Sequence, residues 1–330
     1  MGVAGGVGDG GGVSTLDHTV AGPDRPLVVV AGISWTPLRL RGLRHGLWLG
    51  AAFVGLFAFA AVASNGFGMD SHAYWSAWRN GLYSAAPEQR DAYLYSPAFA
   101  QGIWPLTLLP WPVFCAGWML AAAAVYAWLL APLGRAWALP LFGICGLEIV
   151  TGNVWPFFAL VLVAGLRFPA AWAFPILLKL TPGVVVLWFV VRREWRSLTI
   201  ALLTTLVVAV VSFAVAPHLW MEWVRLLLHP GEFANPSRKV LHQPLHFSAL
   251  VRLAVGIPIS IVLTVHAART NRAYLLPVAV LLSVPVFGFN VFGILTAIPR
   301  LLQGSEDKRS SSGAVAVGRG RTRRGSSSGR

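Results

Sequence analysis

The sequence is poor in acid. Its 330 residues hold 12 Asp and Glu against 26 Lys and Arg, and charged residues of both signs make up only 12% of the chain. A soluble domain is about a quarter charged, so there is too little polar surface here to cover one or two aqueous domains. Cysteine is equally scarce. Cys115 and Cys145 both lie within apolar runs, where a free thiol behaves as a small hydrophobe. A disulfide scaffold and a CxxC metal site are thereby excluded. The chain also has no Walker lysine loop and no HExxH pair. Residues 6–11 spell GxGxxG and 325–329 spell GxSxG, but both fall in low-complexity tails with no strand before or helix after. Neither supports soluble nucleotide or hydrolase chemistry.

What is abundant is apolar surface, at 56% of the residues, which reads as a membrane protein. The formal charge of +14 sits mostly in short clusters between apolar runs, the pattern of cytoplasmic loops rather than of a nucleic-acid footprint. The 15 tryptophans gather at segment ends and in loops, as an interfacial belt does.

Residues 1–44 read as a disordered cytoplasmic amino-terminal tail, Gly-rich at first and without a signal-length apolar stretch. Arg39, Arg41 and Arg44 then precede a first span at 47–63 and place the amino terminus inside. Residues 64–98 follow as an outer loop with Asp70, Glu88 and Asp91. From 92 to 134 no residue is charged; a surface-dipping segment is expected near 104–112, then a span ending before Arg135. Two short helices, 136–150 and 154–166, are joined at Thr151-Gly152-Asn153.

The 24 residues between Arg167 and Arg192 are too few for two crossings of about 20 each. One element must be re-entrant or broken, and Lys179-Leu180-Thr181-Pro182 is the natural break because proline cannot donate the helix hydrogen bond. Irregular backbone at that depth must line a cavity, so Lys179 is expected to face one. Residues 197–217 cross outward to a second outer loop at 218–247, 253–268 cross back, and 274–298, interrupted near Pro285, form the last hairpin or span. Residues 303–330 read as a disordered basic cytoplasmic tail able to touch anionic headgroups. The predicted fold class is all-α: a polytopic transmembrane helical bundle over 45–302, with about 8 to 10 membrane segments including short or re-entrant helices.

With acids so few, the residues able to carry chemistry are quickly counted. Asp70 stands in Gly68-Met69-Asp70-Ser71-His72-Ala73-Tyr74-Trp75, at the lip of a span, where partial desolvation suits a general base; Asp is equally an ordinary helix cap. Lys179 is an ionisable residue at membrane depth, which marks function, and an ammonium binds phosphate as a point charge. Snorkelling from a short hairpin is the plainer reading. Gly152-Asn153 is common turn chemistry, and Glu148, five residues before Asn153, reaches either a site or the outer interface. His242 and His246 have i,i+4 spacing, but Pro244 lies between them and no carboxylate follows at a matching interval, so no metal site is assigned.

These motifs align with a known pattern. Asp70 with Tyr74 and Trp75; Tyr95-Ser96-Pro97-Ala98-Phe99-Ala100 followed by Pro105-Leu106, Leu109-Pro110 and Trp118; Gly152-Asn153 before an apolar helix; Leu178-Lys179-Leu180-Thr181-Pro182 running on to Arg192-Arg193-Glu194-Trp195-Arg196; and His242-Gln243-Pro244-Leu245 leading to Arg252 are all present. Over about residues 45–300 the sequence resembles the bacterial polyprenyl-phosphate-sugar-dependent transferases of glycosyltransferase family 87, which have the GT-C membrane fold. It departs from them where the family's Asn-Gln-Ser-Leu is altered at 242–245, and where 283–289 keeps only Ser and Pro of a longer motif.

The resemblance implies an inverting transfer of a hexose, mannose first, to a lipid-linked or cell-wall glycan on the outer face of the plasma membrane. Asp70 would be the base, and Lys179, Arg238 and Lys239 would meet the donor phosphate. His72, Tyr74, Tyr95, Asn153 and Gln243 would contact substrate. The implied partners are a polyprenyl-phosphate sugar, a glycolipid or polysaccharide acceptor and membrane lipids, with no nucleic acid. No cofactor is expected, and dependence on a divalent cation stays open. An arabinofuranosyl donor is the close variant. A transporter or flippase, and a non-catalytic assembly partner, are the readings from other classes.

Overall fold

The computed structural model describes residues 28–30, 33–85, 89–228, 249–284 and 289–304. The chain divides into two compact units, Met1–Gly46 and Leu47–Arg330. The first holds an antiparallel pair, β1 (Val28–Val30) and β2 (Ile33–Trp35), with Val28 opposite Trp35 and Val30 opposite Ile33. This corrects the expectation that 1–44 lacks structure: five of the six paired residues are β-branched or aromatic, which suits a pleated ribbon. Every other described element is helical.

Helix α1 (Pro37–Asn65) also starts inside the expected tail. Thr36 Oγ1 accepts the Arg39 N–H at 3.3 Å and caps the first turn, with Pro37 at the position where a missing N–H costs nothing. Helices α4 (Trp111–Leu130), α10 (Trp195–Val215) and α12 (Ala249–Thr270) follow the same plan of long uncharged runs. These four are long and apolar enough to cross a bilayer, since 20 residues rise about 30 Å. Their outward side chains are bare: Phe53, Leu56 and Phe59 on α1, and Leu203, Leu206, Val210 and Val211 on α10, all stay exposed. Stripes of that size fit hydrocarbon and not water. The chain is a membrane protein.

Shorter helices pack between the long ones: α2 (Met69–Asn80), α3 (Pro97–Thr107), α5 (Arg135–Ile144), α6 (Gly146–Thr151), α7 (Trp155–Ala164), α8 (Ala173–Leu178), α9 (Leu187–Val191), α11 (Pro217–Leu228) and α13 (Leu276–Ser283). The expected first outer loop therefore contains α2, and the segment at 104–112 is the end of α3 and the start of α4. Where the second outer loop was expected, the described part is α11.

Between Arg167 and Arg192 the chain is broken at Lys179. α8 stops at Leu178, Lys179 is extended (φ −141°, ψ 113°), and a 3-10 turn at Thr181–Val186 with Pro182 near its start leads into α9. Proline's missing N–H and its ring explain why no α-helix runs through. Late in the chain, Gly256 of α12 lies so close to α13 that a Cβ there would strike the Leu282 carbonyl, so glycine permits the closest approach of the two helices. The core is aromatic, with Tyr74, Tyr93, Tyr126, Trp155, Phe158, Trp172 and Phe189 all nearly inaccessible. α7 packs against a 3-10 helix at Phe289–Ala297.

Candidate functional site

Two sharp turns meet at the start of α2. Gly68 takes the left-handed conformation (φ 71°) and its N–H donates to the Val150 carbonyl at 2.7 Å, while the Ser71 hydroxyl returns to the Gly68 carbonyl at 3.1 Å. A Cβ on Gly68 would lie 2.7 Å from Cys115 Sγ and 2.8 Å from the Trp111 ring. Glycine is required there for both reasons. Gly68 is the N-cap of α2, and Asp70 lies inside the first turn, so Asp70 is not the cap residue. Its carboxylate sits where the helix dipole favours negative charge.

The second turn ends α6. Gly152 is also left-handed (φ 72°), the Glu148 carbonyl accepts the N–H groups of Gly152 and Asn153 at 3.1 Å, and a Cβ on Gly152 would come within 2.7 Å of Ser71 Cβ. Asn153 Oδ1 accepts from the N–H of Val154 (2.7 Å) and Trp155 (3.3 Å), opening α7. Two main-chain donors fix which end of the amide is oxygen, so its Nδ2 must face the other way. It donates to Asp70 Oδ2 at 2.8 Å. Thr151, whose hydroxyl donates to the Glu148 carbonyl at 3.3 Å, stands beside the same carboxylate.

Lys179 reaches this point because its backbone has left the helix. Its Nζ lies 4.2 Å from the centre of the Trp155 ring and 5.6 Å from that of Tyr95, within cation–π range, and it interacts electrostatically with Asp70. Tyr95 and Tyr74 meet edge to face at 5.5 Å, with their hydroxyls 3.4 Å apart. Burial pushes the Tyr95 hydroxyl above the usual phenol range, with the Asp70 charge adding to it, so Tyr95 is a neutral hydroxyl at working pH. Phe99 and Tyr93 continue the aromatic wall. Asp70, Tyr74, Tyr95, Asn153 and Lys179 thus form one constellation drawn from four separate stretches of chain.

His72 does not join it. Two residues along a helix lie about 200° apart, and His72 faces the other side of α2, where its Nδ1 pairs with Asp91 Oδ1 at 2.5 Å. It lines a cavity of about 700 Å³ with Asn65, Arg90, Trp111, Cys115 and Met119; Asp70, Asn153 and Lys179 are not among its walls. Arg238, Lys239 and Gln243, together with His242 and His246, lie outside the described residues. Among the described residues no three of His, Cys, Asp and Glu converge as a metal site would need.

Sequence reasoning missed Thr151 and Trp155. The signal for both was their place beside Asn153, one just before its turn and one opening the next helix. It also left Glu148 without an assignment; that carboxylate is buried against Tyr126 and Gly293.

No curated protein and no solved structure was found to match the chain. One family does: the model of glycosyltransferase family 87 matches residues 93–292, more than half the length. The match contains Tyr95, Asn153 and Lys179, whereas Asp70 and His72 lie ahead of it. The match thus takes in three of the five residues in the constellation around the Asp70 carboxylate, and the chain belongs to glycosyltransferase family 87, an enzyme family of glycosyltransferases.

Proposed function

We propose that the protein transfers a hexose, mannose in the first instance, from a polyprenyl-phosphate donor to a lipid-linked or cell-wall glycan at the outer face of the plasma membrane. The observation that carries the reading is the hydrogen bond between Asn153 and Asp70: a residue inside the family match holds the carboxylate that lies outside it. In this reading the acceptor hydroxyl gives its proton to Asp70, and its oxygen attacks the anomeric carbon. The bond to the phosphate oxygen breaks, and the lipid phosphate leaves with the electron pair. Attack from the face opposite the leaving group inverts the anomeric centre.

Lys179 stands against the negative charge that gathers on the departing phosphate, and its half-buried setting strengthens that attraction relative to water. Tyr95 and Tyr74 supply neutral hydroxyls for the sugar. His72 and the cavity beneath it are assigned to the acceptor, and Arg238, Lys239 and Gln243 to donor and substrate contacts from the second outer loop. The GT-C architecture is part of the proposal. The charge pattern supports the sidedness: Arg39, Arg41 and Arg44 precede the first span, and Arg192 and Arg193 fit a cytoplasmic cluster of their own.

The test is transfer of labelled sugar from polyprenyl-phosphate mannose, and in parallel from polyprenyl-phosphate arabinose, into the lipid extract of the source organism. Purified protein is expected to use the mannose donor, and Asp70→Asn to lower the rate by at least about 10²-fold, the lower range of general-base catalysis. Undiminished transfer by Asp70→Asn would remove Asp70 from the chemistry. Use of the arabinose donor alone would replace the sugar assignment.

A further inference from the structure

Glu148 is 4% exposed and both of its side-chain oxygens are engaged: the Tyr126 hydroxyl donates to Oε2, and the Gly293 N–H donates to Oε1 at 3.1 Å. Tyr126 is itself fully buried. Among the described residues no Lys, Arg or His forms an ion pair with Glu148. A carboxylate taken this far from water and given no counter-charge depends on each of its donors. Gly293 is shaped for the task, because a Cβ there would run into the Tyr126 hydroxyl and both Glu148 oxygens. Residues 126, 148 and 293 therefore converge on one polar point inside apolar packing.

The main chain of the same residue faces the site. Its carbonyl accepts the N–H groups of Gly152 and Asn153, both at 3.1 Å, and the Thr151 hydroxyl at 3.3 Å. That carbonyl closes the turn from which Asn153 reaches Asp70. The side chain anchors to the last described part of the fold while the carbonyl sets the position of Asn153, so a chain of contacts runs from Gly293 to Asp70 through Glu148 and Asn153.

We infer that Glu148 is a positioning residue for Asp70, acting through the 148–153 turn and Asn153, and that the 3-10 helix at Phe289–Ala297 is thereby part of the apparatus that aims the base. The inference rests on the reading of Asp70 as that base. It assigns Glu148 no contact with substrate. A misplacement of about 1 Å costs on the order of 10² in rate, so loss of the anchor should appear in kcat and leave donor binding alone.

The experiment is a kinetic cycle on full-length protein in detergent, using labelled polyprenyl-phosphate mannose and Glu148→Ala, Asn153→Ala, the double variant and Glu148→Gln. Expected is a fall in kcat of about 10- to 100-fold for Glu148→Ala, with KM for the donor within about twofold of the parent. Glu148→Gln, which keeps one acceptor oxygen, should recover most of the loss. The double variant should be no slower than the slower single one, because both changes break the same chain of contacts. Losses that multiply in the double variant, or a normal kcat in Glu148→Ala, overturn the inference. Should Glu148→Ala elute as aggregate, Tyr126→Phe takes its place in the cycle under the same criteria. Asp70→Asn is run alongside: activity retained there defeats the base reading itself, whereas a dead Asp70→Asn with multiplying losses defeats only the role of Glu148.

Discussion

At the scale of single residues, three glycines show how the site depends on what is missing from a side chain. Gly152 and Gly66 both have a positive φ, at 72° and 79°, but a Cβ on Gly152 would enter Ser71 while one on Gly66 would meet open space. Gly66→Ala should therefore cost only conformational strain, of about 1 kcal/mol, whereas Gly152→Ala should lose about 2–4 kcal/mol and carry Asn153 away from Asp70. Thermal unfolding of the two variants in detergent checks the contrast, and equal losses would show that Ser71 yields. Gly68 belongs with Gly152, being both left-handed and hemmed in. Lys179 permits a separate prediction. Lys179→Met keeps the stem and removes the charge, so KM for the donor should rise about 10- to 100-fold, the worth of a hydrogen bond to a charged group. A KM within twofold of the parent would take the ammonium off the phosphate.

At the scale of elements, the break after α8 decides where that ammonium goes. Pro182→Ala restores an amide donor and removes the ring that blocks a continuous helix. If α8 and α9 join, Lys179 turns away from Trp155 and Tyr95, and KM for the donor should rise although the lysine is still present. Unchanged kinetics in Pro182→Ala would mean that tertiary packing alone holds Lys179 extended. This break was legible in the sequence, since too few residues separate Arg167 from Arg192 and a proline marks the spot. The long helices were legible for the same reason: an uncharged run of about 20 residues has few other uses.

The pairing of Asn153 with Asp70 was not legible, because 83 residues separate them and Gly-Asn looks like any turn. Nor was the clasp of Tyr126, Glu148 and Gly293, whose members lie 22 and 145 residues apart with no local pattern joining them. The β1–β2 pair was missed because a Gly-rich composition drew attention away from a short β-branched run. His72 was grouped with Asp70 by nearness in sequence, and helix geometry put it on the other face.

At the scale of the whole molecule, the reading needs a side. Ser84 is exposed just after α2, Arg193 is exposed between α9 and α10, and the two native cysteines are buried, so cysteines placed at 84 and 193 report with little background. In intact cells an impermeant maleimide should label Ser84→Cys and reach Arg193→Cys only after permeabilisation. The reverse pattern would put Asp70 on the side where no outer-face acceptor waits.

The junction between Asp70 and Asn153 also bears on how relatives are to be sorted. The stretch that identifies the family begins at residue 93, but the carboxylate proposed as proton acceptor precedes it and is recruited in space by an amide within it. If Asp70 is the base proposed above, a homologue whose leading helix lacks an acid opposite that amide should bind the donor and forfeit turnover. Competence in such chains is to be judged from what faces the Asn, whatever the strength of the match.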